Sequence, residues 1–186
     1  MTDVTAGAGQ AYAACKLLFK DLNLLGIDYC KAVRDSGVDL SVTEEYSYSP
    51  NELHVKRDHV WMSHRIDGQA RTFAAAYVTF EEGRRHFKVG PPLRPEVWYV
   101  LGHATKPTGN LALAVRDMFM KPNLPRFQPA LALGGAISLY SHNSGGDVWS
   151  AVLIGFELGD VDSPAALEQR VLTPLRAAAL ERSIIL

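Results

Sequence analysis

The chain reads as α+β: an antiparallel sheet of about six to seven strands flanked by a long N-terminal helix, a short middle helix and a kinked C-terminal helical segment. Three observations predict this. A stripe of apolar residues at helical spacing occupies the N-terminus, the turn dipeptides Asp67-Gly68 and Glu82-Gly83 divide alternating runs in the middle, and Ser163-Pro164 opens a helical pattern near the end. The strands therefore form one block bracketed by helices.

Cys15, Leu18, Leu22, Leu25, Tyr29 and Val33 recur at three- and four-residue steps, with Lys16, Lys20, Asn23, Lys31 and Arg34 largely opposite. The stripe passes Gly26 without losing phase, so the spacing predicts one helix over 8–35, stopped near Gly37. Leu17 and Leu24 lie one heptad apart on its polar back. A leucine left in water forgoes roughly 1.5–3 kcal/mol of burial, so this pair marks a second contact surface, met by another part of the fold or by another chain, with a second copy as the simplest partner. Cys15 and Cys30 would lie about 22 Å apart on the helix, too far to bridge, and read as buried apolar thiols.

Residues 42–49 alternate, with Tyr46 and Tyr48 on one side, and predict a strand before the turn at Pro50-Asn51. The meander over 60–89 follows. Two-residue turns at Asp67-Gly68 and Glu82-Gly83 would set Met62 beside Phe73, His64 beside Arg71, Ala76 beside Val89 and Val78 beside Phe87. One face then carries Trp61, Ala74, Ala76 and Val78. The opposite face carries His64, Arg71, Phe73, Tyr77, His86 and Lys88. Pro91, Pro92 and Pro95 lead into a strand over 96–106, ended by Pro107, and Leu111, Val115, Met118 and Phe119 give the short middle helix. Residues 121–129 form a proline-restrained loop. The apolar runs 130–141 and 148–158 flank a hairpin turn and read as strands buried on both faces or central in the sheet. Ser163 caps a helix whose first turn holds Pro164, and Thr173-Pro174 is expected to start a second helix after a kink.

The chain has 186 residues, 47% of them hydrophobic, which suits one domain spanning 1–186. Its net charge of -1 removes any whole-protein argument for nucleic acid or an anionic membrane. Neither a basic-then-apolar leader nor a segment of membrane-spanning length is visible, so a cytoplasmic location is the expectation.

By arrangement, the predicted fold resembles the helix-flanked sensor and scaffold folds of the profilin or GAF type, a likeness that carries no function. Two motifs bear on chemistry. His103-Ala104-Thr105 and His142-Asn143-Ser144 resemble the paired His-x-Thr/Ser motifs of the two-histidine phosphoesterases. That resemblance implies one histidine as base, the other as acid, and Thr105 and Ser144 holding a phosphate, although Lys106 and Gly145 stand where hydrophobic residues are expected. The aromatic and basic sheet face offers a second chemistry, stacking of bases on Phe73 and Tyr77 with phosphates held by Arg71 and Lys88. Met120, Leu124 and Phe127 on the restrained loop suit a protein contact. His54, His59 and His64, spaced by five, converge on no regular element, so neither a metal nor a cofactor is expected.

The balance of these features predicts a non-catalytic interaction module that self-associates through its N-terminal helix. The alternatives are an anion or single-stranded nucleic-acid binder using the sheet face, and a phosphodiesterase-type hydrolase.

Overall fold

The apolar spacing of the first 35 residues produces α1 (Thr2–Asp35), and the alternating runs pair into one antiparallel sheet. In the computed structural model, residues 2–38, 45–46, 58–64, 71–79, 96–105, 134–144 and 147–184 are described. The strands are β1 (Glu45–Tyr46), β2 (Asp58–His64), β3 (Arg71–Thr79), β4 (Glu96–Ala104), β5 (Ile137–Ser144) and β6 (Asp147–Glu157), in the spatial order β1-β2-β3-β4-β6-β5. The C-terminal run comprises α2 (Pro164–Ala166), a π-helical stretch (Leu167–Leu172) and α3 (Thr173–Glu181).

Side chains of directly paired residues share a face. On one face Ala74, Ala76, Val97, Tyr99, Leu101, Val152, Ile154 and Phe156 meet Tyr29 and Val33 of α1 and Val171, Leu172, Leu175 and Ala179 of the C-terminal run. The other face carries Phe73, Tyr77, Trp98, Val100, Trp149 and Leu153, and these too are buried. The centre of the sheet is therefore covered on both sides. β5 is an edge strand: Ser138 and Tyr140 are buried while Ile137, Leu139 and Ser141 are exposed, so the expected two-sided burial holds for β6 and fails for β5.

The meander departs from expectation in two ways. Met62 lies opposite Ala75 and His64 opposite Phe73, an offset of two residues that preserves the alternation and hence the faces. Beyond that, β3 pairs along its second edge with β4: Ala76 opposes Tyr99 and Val78 opposes Val97, so neither is a partner of Val89 or Phe87. A ladder running from Arg71–Ala104 to Thr79–Glu96 makes more backbone bonds than a short hairpin over 84–89, and that advantage decides the pairing. Residues 84–89 lie outside the described residues, as do the expected middle helix and the loop at 121–129.

Both helix-end readings rest on local chemistry. Gly37, at φ 94°, accepts the left-handed turn after α1, with its N–H donating to the Arg34 carbonyl at 2.9 Å. The Ser163 side chain accepts the Ala166 N–H at 3.2 Å, with Pro164 in the first turn. As expected, an α-helix starts at Thr173 with Pro174 in its first turn, and it follows the preceding π-helical stretch without a gap. The Thr173 N–H donates to the Glu168 carbonyl five residues back, and Leu172 and Thr173 keep helical dihedrals. A widened π turn thus absorbs the missing proline donor and the ring's bulk against the preceding turn.

Candidate functional site

Register decides the histidine pair. Thr72, His103, Ser150 and Ser141 form one row across β3, β4, β6 and β5, and Arg71, Ala104, Trp149 and His142 form the next. Successive rows face opposite sides of a sheet. His103 and His142 therefore occupy positions on opposite faces, Thr105 following His103 and Ser144 following His142 in alternation. The shared phosphate cleft expected of the two motifs is not formed, because the β5–β6 register sets Ser141 across from Ser150 and gives His142 to Trp149.

The stacking face is also corrected. Phe73 and Tyr77 are both 0% exposed, so neither offers a ring to a base. Phe73 instead packs edge-on to Trp149, with centroids 5.9 Å apart. His64 takes a register position opposite Phe73, and Arg71 one opposite Ala104. His86, Lys88, Met120, Leu124 and Phe127 lie outside the described residues.

What the fold does bring around His103 is a cup of about 430 Å³ at the end of the sheet, lined by His103, Thr105, Ser141, Ser150, Arg182 and Ser183, with Leu139, Val148 and Ile184 at its apolar margin. Thr72 Oγ1 lies 3.4 Å from His103 Nδ1, Ser141 and Ser150 share a hydrogen bond of 3.3 Å, and Thr105 Oγ1 donates to the Val148 carbonyl at 3.2 Å. Burial holds the His103 imidazole below its ordinary pKa and favours the neutral ring. Ser150 and Arg182 carry no motif and were not legible as site residues in the sequence. They reach His103 through strand order and the end of α3.

The second feature is the solvent side of α1. Leu17 is 62% exposed and Leu24 46%, the two most exposed large apolar residues described on that helix. About 100° of rotation per residue sets the exposed Lys20 and Lys31 along one flank of this leucine seam and the exposed Asp21 and Asp28 along the other. The acidic flank faces a groove of about 780 Å³ between α1 and the C-terminal run. Asp21, Asp28, Asp35, Asp162 and Glu168 line it against a single Arg176, over a floor that includes Leu25, Leu167 and Leu172.

Among the described residues no cluster of histidine, cysteine or carboxylate side chains is arranged to hold a metal ion, and no helix is long and apolar enough to cross a membrane. In comparisons with protein-family models, curated proteins and solved structures, nothing matches this chain.

Proposed function

We propose that this protein is a non-catalytic interaction module that self-associates through α1. The observation that carries the reading is the exposure of Leu17 and Leu24 one heptad apart on a helix face flanked by Lys20 and Lys31 on one side and Asp21 and Asp28 on the other. Four leucines withdrawn from water in a two-fold pair would contribute most of the association energy, at roughly 1.5–3 kcal/mol for each full burial.

Charge selects the orientation. In an antiparallel two-fold pair like flanks meet, so Lys20 would face Lys20 of the partner subunit and Asp21 would face Asp21 of the partner subunit. In a parallel pair unlike flanks meet, as in coiled coils whose flanking positions set direction. Lys20 then lies beside Asp21 of the partner subunit, twice over. The module is accordingly a parallel α1–α1 dimer whose leucine seam is bordered by oppositely charged flanks.

Sedimentation equilibrium tests the reading. Wild type sediments as a dimer and Leu17→Glu/Leu24→Glu as a folded monomer. Lys20→Glu and Asp21→Lys each weaken association, while the double reversal Lys20→Glu/Asp21→Lys restores it. A monomeric wild type at high protein concentration rejects self-association. A Lys20→Glu variant that dimerises like wild type rejects the parallel orientation.

A further inference from the structure

We propose that the cup at the end of the sheet binds the phosphate group of a small phosphomonoester. The proposal is independent of self-association, since none of the cup's described lining residues lies on α1.

Charge and donor count carry the argument. The α1 groove is lined by five carboxylates and one arginine, whereas the described lining of the cup holds no carboxylate and keeps Arg182. Among the described residues Arg182 has no ion-pair partner, so its guanidinium is available to an anion. Three further donor groups line the same cup. The Ser141–Ser150 pair consumes one hydroxyl hydrogen between its members and leaves the other free, Ser183 adds a second hydroxyl, and a neutral His103 adds an Nε2–H donor in the tautomer whose Nδ1 accepts from Thr72. A carboxylate has two oxygens for these donors; a phosphate monoester has three terminal oxygens and a second charge.

The end of α3 opposes an anion, but weakly. A helix C-terminus presents about half a negative charge, against the full positive charge of Arg182. Its carbonyls are moreover already engaged: Arg182 N–H reaches the Ala178 carbonyl at 3.2 Å, Ser183 N–H the Leu180 carbonyl at 3.0 Å and Ile184 N–H the Ala179 carbonyl at 2.8 Å. The balance favours the anion. The volume, larger than a bare phosphate needs, and the margin of Leu139 and Ile184 leave room for a short carbon substituent on the ester oxygen.

Calorimetric titration of the full chain with inorganic phosphate, glycerol phosphate and acetate decides the matter, with His103 ring signals followed by NMR. Saturable binding of glycerol phosphate is expected, weakened about tenfold or more in Arg182→Gln and in Ser150→Ala, and unchanged in Arg170→Gln. The bound dianion should also raise the pH at which the His103 ring titrates, a signal absent in His103→Gln. Equal affinity for inorganic phosphate assigns recognition to the phosphate group alone, and tighter binding of the ester assigns a share to the apolar margin; both support the site. Absence of saturable binding, acetate binding as tightly as either phosphate, or unchanged affinity in Arg182→Gln overturns it.

Discussion

Trp98 and Gly155 are direct partners on β4 and β6, and carbons of the Trp98 indole lie 2.5 Å from where a β-carbon on Gly155 would sit. Phe73 and Gly102 repeat the arrangement on β3 and β4, with a ring carbon 2.7 Å from the corresponding point. An aromatic ring thus lies flat on the bare backbone of a glycine across the ladder, in the manner of aromatic rescue. The Trp98 ring has little freedom to yield, because its Nε1 donates to Glu96 Oε2 at 3.2 Å and the residue is buried.

Gly155→Ala and Gly102→Ala should each destabilise the fold by about 1–3 kcal/mol, since an inserted methyl must displace a packed ring. Urea unfolding monitored by tryptophan fluorescence reads this as a lower midpoint at similar slope. A midpoint unchanged for Gly155→Ala means the indole moves freely, contrary to its packing.

Tyr29 Oη donates to the Val100 carbonyl at 2.9 Å, pinning α1 to the central strand. Tyr29→Phe removes that bond while the Val100 carbonyl keeps its place in the sheet, and should cost roughly 0.5–1.5 kcal/mol. Burial, followed by the neighbouring Cys30 and Tyr99, raises the Tyr29 phenol well above its usual range, and burial raises Tyr99 as well. Raised folded-state values mean that the unfolded chain loses these protons first, so stability is full below about pH 10 and declines as pH rises beyond it. Phenolate absorbance for these two residues should therefore appear with unfolding and not before it.

His103 predicts the opposite limb. Its pKa is lowered by burial, so the unfolded chain takes up this proton first and the associated stability, complete above about pH 6.5, is lost as pH falls through the lower folded value. Thermal melts from pH 7.5 down to pH 5 should decline more steeply for wild type than for His103→Gln. Parallel curves would mean that the imidazole is free to charge in the native state.

Ser183 sits at φ 51°, the one non-glycine residue with positive φ among those described, in the position after α3 where glycine is the usual occupant. Ser183→Gly should raise stability by roughly 0.5–1 kcal/mol, relieving the β-carbon at that dihedral. A measured loss instead would show the Ser183 hydroxyl contributing more than the strained backbone costs.

Legibility in the sequence followed the range of the interaction. Ser163, Pro164 and Gly37 act within one helical turn, so their neighbours alone reveal them. Strand alternation identified the faces of β2 and β3, yet a pattern of period two is unchanged by a slip of two residues and cannot place Met62 against Ala75 in preference to Phe73. The partner of β3 depended on a competition between a near hairpin and a longer strand beginning at Glu96. The cup was illegible for the same reason. Thr72, His103, Ser150 and Ser141 meet only after the order of the strands is known, and Arg182 joins them only once the π turn has carried α3 past Pro174.

The placement of β6 between β4 and β5 has a consequence for the growing polypeptide. During synthesis β1 to β4 can pair in the order they emerge, but β4 keeps an open edge until residues 147–157 leave the ribosome, and β5 has no neighbour until then. The last of the described strands to emerge is therefore an interior strand, next to the edge strand β5. A nascent chain stalled in the β5–β6 turn would leave one edge of the Glu96–Ala104 strand, nearly all of which is buried in the finished fold, open as a template for other chains. Release of the final strand, more than any earlier step, divides productive folding from edge-to-edge aggregation.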